Sequence, residues 1–237
     1  MYHPTFPTLF CWLLLLVQGN HAQRYYGPVD QRVNVELTLD VPCNGVSTTP
    51  DGRLFLVYAR VDGSTGPQVV EYDRQTNKST AYPNEEWNSY EDGKDPATHF
   101  LGVNGQRVGP DGQLWIIDKG ATALGTPVDL PYGPKLVVVN PKTNKVSRVY
   151  FMGNATRTNS LLDDVRFHPS TGKAYLTDAG SPGLIVLDLA SGTTVRVLDG
   201  HPSTLDDVNV SAEGNQLFFG PGQPAYIYAD QLEVSPE

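Results

Sequence analysis

Short apolar runs recur along the chain, each after a turn signal and each followed by a second apolar run. The first runs of these pairs cover residues 54–58, 114–117, 174–176 and 217–219. The second runs cover residues 69–72, 136–139, 184–187 and 226–228. Because the runs are short and bounded by Gly, Pro, Asn and Asp, they predict β-strands rather than helices.

The turn signal before the first run of each pair has a nearly constant form. Pro-Asp-Gly begins at Pro50 and Pro110, and turns headed by Pro169 and Ala212 stand in the same place later in the chain. Proline presets φ and glycine accepts a positive φ, which suits a tight turn between antiparallel strands. A polar turn and a more amphipathic strand, such as Lys145–Phe151, complete the unit.

These units predict an all-β fold in which a four-stranded cassette repeats, as in a β-propeller. We place the units near 44–82, 104–151, 163–198 and 206–230, within one domain over 23–237. About four blades are therefore expected, and the last is unfinished. A β-sandwich of repeated hairpins is the alternative, but sandwiches do not repeat such a cassette in register.

The N-terminal residues predict a secretory signal peptide over 1–22. Residues 9–17 form an unbroken apolar run, followed by polar residues and then by Ala22, although no Lys or Arg precedes the run. The run is too short to span a bilayer but suits the core of a signal. A buried N-terminal strand or helix is the alternative. We expect a secreted, extracellular protein without a membrane span.

Charge and composition narrow the classes of function. The formal net charge is -9 and no cluster of Lys or Arg occurs, so a nucleic-acid partner is not expected. The sequence contains neither Gly-x-Ser-x-Gly nor His-Glu-x-x-His, and whether the protein is an enzyme stays open.

The sequons and the cysteine content give two further expectations. Asn77 and Asn154 begin Asn-x-Ser/Thr sequons and are predicted glycan sites, whereas Asn209 lies in a predicted strand and is the weakest candidate. Cys43 is the single cysteine after the predicted signal, so no internal disulfide is expected.

A longer motif carries a family resemblance. Residues 162–180 are Leu-Asp-Asp-Val-Arg-Phe-His-Pro-Ser-Thr-Gly-Lys-Ala-Tyr-Leu-Thr-Asp-Ala-Gly, and Pro-Gly-Leu-Ile-Val-Leu-Asp follows at 182–188. With residues 195–203, this stretch resembles the yellow / major royal jelly protein family in its fungal or bacterial form, over about 44–228. The resemblance implies a secreted six-bladed propeller, related to gluconolactonase-like propellers. Members are associated with pigment and catecholamine chemistry, with amine or sterol binding, or with nutrition.

The number of blades departs from the six that the resemblance implies. About four are present, so two are expected to be missing at the C-terminal end, and we interpret the chain as truncated. A closed four-bladed ring, joined by an outer strand at residues 33–39, is the alternative.

One repeat position offers candidate chemistry. Asn44, Asn104, Asp163 and Asp206 stand at a constant offset before the turns, at the predicted entry of each innermost strand and so at one mouth of the channel. Their oxygens suit a hard cation such as calcium. Gluconolactonase-like propellers carry metal ligands at such positions, although Asn44 stands where that family has Glu. Hydrogen-bonded capping of the strand entries, without metal, is the alternative.

Neighbouring residues extend the candidate site. Asp164 and Asp207 follow two of the aspartates, and His201 lies on the connection to the fourth unit; all three are predicted ligand-binding residues. Asp118 and Asp178 end the second strands of their units, and we expect them at the opposite rim.

Three functions from different classes follow from these patterns. The first is a secreted propeller of the yellow type that binds a small aromatic or amine ligand at the channel mouth. The second is a metal-assisted lactonase or isomerase, of fungal secondary metabolism, in which calcium held by Asp163 and Asp206 polarises a carbonyl group. The third is a truncated fragment without function.

Overall fold

The computed structural model describes residues 32–58, 60, 65–206, 208, 210–212 and 214–235. The chain divides into two compact units, Met1–Thr38 and Leu39–Glu237. The predicted signal peptide and Asp207 lie outside the described residues. No described helix is long and apolar enough to cross a membrane.

Residues 43–197 of the second compact unit form three four-stranded antiparallel sheets, each a meander in which consecutive strands pair. The strands of the first sheet are β1 (Cys43–Thr48), β2 (Leu54–Tyr58), β3 (Val69–Asp73) and β4 (Lys78–Ala81). Those of the second are β5 (Val103–Val108), β6 (Leu114–Lys119), β7 (Pro134–Asn140) and β8 (Lys145–Phe151). Those of the third are β9 (Leu162–Phe167), β10 (Lys173–Asp178), β11 (Gly183–Asp188) and β12 (Thr194–Val197).

The sheets pack face to face through strands that are apolar on both sides. In β6, Leu114 and Ile116 join the core between the first and second sheets, whereas Trp115 and Ile117 join the core between the second and third. Alternate side chains of a strand point to opposite faces, so an unbroken apolar run is what a sheet between two others requires.

The first strands of adjacent sheets lie side by side. Ser47 on β1 donates a hydrogen bond to the Gln106 carbonyl on β5, at 3.3 Å. At Gly105 the strand β5 approaches β9 so closely that a Cβ atom would lie 2.9 Å from the Asp163 carbonyl oxygen. Meander sheets set side by side with their first strands together form a β-propeller, so the all-β propeller prediction is confirmed.

The fourth repeat unit, predicted at 206–230, differs in structure from the first three repeat units. It contains two short hairpins, β13 (Ser211–Ala212) with β14 (Asn215–Gln216), and β15 (Phe218–Gly220) with β16 (Gln223–Pro224). The predicted strand at 226–228 does not form, and Ile227 is 40% exposed. A strand gains most of its stability from a buried face, and these apolar side chains find little burial.

The outer strand predicted at 33–39 also does not form. Val33 and Val35 are 68% and 84% exposed, so the apolar alternation that suggested a strand is not matched by a buried face. The one helical element of the described residues is a 3-10 turn at Pro202–Thr204.

Candidate functional site

The predicted strand-entry residues of the three sheets contact one another in a row. Asn44 Nδ2 donates to the Asn104 carbonyl oxygen at 2.7 Å. Asn104 Nδ2 in turn donates to the Leu162 carbonyl at 3.0 Å and to Asp163 Oδ1 at 2.6 Å. Asn44 and Asn104 therefore each link their own sheet to the next one at the channel mouth.

The Asp206 carboxylate is hydrogen-bonded to backbone groups of its own predicted repeat unit, 206–230. Its Oδ1 accepts from the Val208 backbone N–H and its Oδ2 from that of Ile227, both at 3.0 Å. Both carboxylate oxygens thus satisfy backbone donors, which is the capping role that Asx side chains take in turns.

This geometry bears on the calcium hypothesis. The row from Asn44 to Asp163 presents amide nitrogens to carbonyl and carboxylate oxygens, and a cation needs oxygens turned toward a common point. In the part of the chain that the structure describes, no three His, Cys, Asp or Glu side chains group as a metal site would require. The arrangement is that of hydrogen-bonded strand entries, and calcium binding there is a hypothesis that titration tests.

Asp164 and His201, the two predicted ligand-binding residues that the structure describes, make other contacts. Asp164 is buried; it contacts the Arg166 guanidinium, and its Oδ1 accepts from the Val165 N–H at 2.8 Å. His201 is exposed and caps the 3-10 turn, its Nδ1 accepting from the Ser203 N–H at 3.2 Å.

Asp118 and Asp178 lie at the same rim as Asn104 and Asp163, so their predicted place at the opposite rim is wrong. Asp118 pairs with Val103, beside Asn104, and Asp178 pairs with Leu162, beside Asp163. The reason is the hairpin geometry: in an antiparallel pair, the end of the second strand lies beside the start of the first.

Both of these aspartates are buried and hold the loop that enters their sheet. Asp118 accepts from the backbone N–H groups of Leu101, Gly102 and Gly120 at 2.9 to 3.0 Å, and from Lys135 Nζ at 2.7 Å.

Asp178 repeats the pattern one sheet later. It accepts from the Leu161 N–H at 2.9 Å, from the Ser160 hydroxyl at 2.6 Å, from the Ser181 N–H at 2.8 Å and from Arg196 Nη1 at 2.9 Å. The two carboxylates are therefore fully used in building the rim.

A cavity of about 930 Å³ opens at this rim, between the entries of the second and third sheets. Apolar and small residues make up much of its wall, with tyrosines at one side and polar groups at the strand entries. Its lining residues are Asn104, Lys119, Ala121, Ala123, Leu124, Gly125, Thr126, Pro127, Thr158, Asn159, Ser160, Leu161, Asp163, Ala179, Gly180, Tyr226, Ile227, Tyr228 and Asp230.

Two carboxyl groups line this cavity. Asp163 is half-buried and bonded to Asn104, as described above. Burial raises the pKa of Asp230 above its usual value of 3.8. The structure thus brings Asn104 and Asp163, of the predicted site residues, into one cavity, and it adds Asp230, which the sequence patterns did not single out.

Lys119 is the second lining residue that sequence reasoning missed. It ends β6 and is 6% exposed, and burial lowers its pKa below the usual 10.5, with a smaller opposing effect from Asp118. The available signal was a lysine two residues after a wholly apolar run, beyond Asp118, at the place where the third unit has Ala179.

The two predicted glycan sites lie at the surface. Asn77 is exposed in the turn between β3 and β4, with a φ of 54°, and Asn154 is exposed after β8. Their modification stays a prediction.

The fold and cavity define a propeller with a ligand-sized opening at the entries of its inner strands. Residues 103–215 match the family model described as major royal jelly protein, which confirms the family resemblance drawn from the sequence. A comparison with curated proteins gives no match.

Solved structures show likenesses of fold. YCF48 bound to a D1 peptide matches at 14% identity and a TM-score of 0.46, over 80% of this chain and 48% of that one. A gluconolactonase-like protein matches at 20% identity and a TM-score of 0.43, over 73% and 55%. Catalytically inactive virginiamycin B lyase from Staphylococcus aureus, with quinupristin, matches at 12% identity and a TM-score of 0.40, over 69% and 43%. The chain thus spans about half the length of these proteins.

Proposed function

We propose that the protein is a secreted propeller of the yellow / major royal jelly type that binds a small aromatic or amine ligand in the rim cavity. The observation that carries the proposal is the cavity of about 930 Å³ at the strand entries. Sites for small molecules are typically concave, largely apolar and supplied with a few convergent polar groups.

The cavity lining suits both the aromatic ring and the ammonium group of such a ligand. Tyr226, Tyr228 and Leu124 offer apolar surface for a ring, and aromatic side chains favour offset or edge-on contact with another ring. The carboxyl group of Asp163 is an acceptor for an ammonium group. Secretion is supported by the apolar run at 9–17, which suits a signal peptide.

Calorimetry with two probes of matched shape tests the proposal. We expect 2-phenylethylamine to bind the wild type more tightly than 2-phenylethanol, which lacks the charge. Asp163→Asn keeps an oxygen that can accept from Asn104 but removes the charge, and should weaken amine binding by about tenfold, since a hydrogen bond to a charged group contributes roughly 1.5–3 kcal/mol.

Asp73→Asn is the control, because Asp73 is an exposed turn carboxylate that does not line the cavity. It should leave both affinities unchanged. If neither probe binds the wild type, or if both variants lose affinity alike, the proposed ligand class is wrong.

A further inference from the structure

Lys119 is placed against the cavity wall without a partner for its charge. The side chain lines the cavity, and only 6% of the Lys119 surface is exposed. Among the described residues, its Nζ forms no ion pair and no hydrogen bond, and this atom is not among the fully enclosed unsatisfied ones, so it keeps some exposed surface in the cavity. A buried ammonium group without such partners is costly, so it is retained only where something compensates for it.

The second buried lysine of the same sheet shows the contrast. Lys135 is wholly buried, but its Nζ lies 2.7 Å from Asp118 Oδ2 and donates to the Gly133 carbonyl at 3.0 Å. Its charge is therefore compensated by the protein. Lys119 follows Asp118 directly in the strand, so its side chain leaves on the other face of the sheet and does not share this pair.

The backbone beside Lys119 makes room for its amine. A Cβ atom at Gly102 would clash with the Ala121 carbonyl oxygen and would lie 2.5 Å from Lys119 Nζ, so the close Ala121 backbone requires glycine there. The amine thus lies beside the Gly102 backbone at the cavity wall.

The charges around this amine favour its neutral form. Burial lowers the pKa of Lys119, and the positive charge of Arg60 acts in the same direction, while Asp118 acts against them. A lysine that is desolvated and near another cation is a recognised form of activated amine nucleophile.

We propose that Lys119 forms an imine with an aromatic aldehyde bound in the rim cavity. This inference rests on the proposed function in taking the same cavity for an aromatic ligand, and it adds the carbonyl group as the chemistry that the site recognises. A lysine with a lowered pKa supplies the neutral amine that attacks a carbonyl carbon more readily than a salt-bridged ammonium does.

The reaction balances without a further reactant. The Lys119 nitrogen lone pair forms a bond to the carbonyl carbon, and a proton moves from nitrogen to oxygen to give a carbinolamine. The carbon–oxygen bond then breaks, and the hydroxyl leaves as water with a proton from a carboxyl group. The iminium nitrogen returns a proton to that carboxylate. Asp230 lines the same cavity and is the carboxyl group whose burial favours the protonated form.

Reductive trapping tests the proposal. The protein is treated with benzaldehyde and sodium cyanoborohydride at pH 7, digested, and the benzylated lysines are quantified by mass spectrometry. We expect Lys119 to be labelled faster than the exposed Lys142 and Lys145, because a lowered pKa leaves a larger fraction of the amine neutral at pH 7.

Two variants serve as controls for this labelling. Lys119→Arg keeps a cation and Lys119→Met keeps the volume, and both should lose the fast label. A melting temperature close to that of the wild type and unchanged labelling of Lys142 show that the variants are folded.

The outcomes separate this inference from the proposed function. Labelling of Lys119 no faster than of Lys142, with 2-phenylethanol still bound by the wild type, would overturn the imine and leave the ligand cavity standing. Fast labelling of Lys119 without binding of either phenyl probe would support the imine and count against the proposed aromatic or amine ligand.

Discussion

Lys135 Nζ lies 2.7 Å from Asp118 Oδ2, and neither side chain has any exposed surface. The same carboxylate also accepts from the backbone N–H groups of Leu101 and Gly102, which lead into β5. The ion pair therefore joins the end of β6, the start of β7 and the entry to the sheet at one point on the rim.

Replacing Lys135 by Met should cost about 3–5 kcal/mol, because it leaves the Asp118 carboxylate buried with an uncompensated charge. Urea denaturation of the purified protein measures the loss. Lys173→Met is the matched control, since its pair with Asp188 is more than a third exposed on both sides and should contribute about 1 kcal/mol or less. Equal losses in the two variants would contradict the structural role of the buried pair.

Replacing Lys119 by Met should stabilise the protein at pH 7, by on the order of 1 kcal/mol, since it removes a buried ammonium without a partner. The native state releases the Lys119 proton below 10.5, and the unfolded state holds it up to that pH. Wild-type stability therefore rises with pH through this window, and the advantage of the variant should shrink toward pH 10.5.

Thermal melts of Lys119→Met at pH 6 to 10, beside the exposed Lys142→Met, measure this difference. An advantage of Lys119→Met that grows with pH would be inconsistent with a lowered pKa for Lys119.

The stability of the protein should also depend on pH through Tyr82, in the alkaline range. Burial raises its pKa from 10.0 to about 12, against the opposing charge of Arg53, and its hydroxyl has no hydrogen-bond partner among the described residues. The unfolded chain loses the Tyr82 proton first, so this residue reduces stability as the pH rises from 10 toward 12.

Tyr82→Phe should therefore gain roughly 1 kcal/mol at pH 7, by removing an unsatisfied buried hydroxyl, and should gain more above pH 10. Tyr132→Phe removes a hydroxyl from a residue that is 51% exposed and is the control. Denaturation at pH 7, 10 and 11 checks both points, and an identical loss of stability above pH 10 in wild type and Tyr82→Phe would speak against them.

Calcium titration with thermal melting tests the remaining metal hypothesis. Because Asn104 donates its amide to Asp163 and Asp206 accepts from two backbone groups, we expect millimolar calcium to leave the melting temperature unchanged. Asp163→Ala should respond in the same way. A rise in the wild type that Asp163→Ala abolishes would restore a cation at the strand entries.

Much of the fold could be predicted from local patterns. In the first three units, the paired apolar runs with Pro-Asp-Gly type turns became meander sheets, because turn chemistry and apolar strands act within a few residues of each other. The fourth unit has the same pattern in a weaker form, and its strands at 217–219 and 226–228 became short hairpins and irregular chain.

The candidate site was only partly predictable. The constant offset of Asn104 and Asp163 placed both at the channel mouth, where they contact each other and line the cavity. It did not reveal Lys119 or Asp230, because neither stands at that offset. Asp118 and Asp178 were misplaced because their rim was predicted from strand length, whereas antiparallel pairing sets it.

The sequence by itself determined the repeated strands, the turns between them and the likeness to the major royal jelly proteins, since these depend on short-range chemistry and on residue order. Only the tertiary structure decided which polar groups are used and which are free to act. Asp118 and Lys119 are neighbours in the chain, yet one is bound by four donors and the other lacks a partner among the described residues. The reason is that successive side chains of a strand face opposite sides of the sheet, and each side is completed by residues distant in sequence.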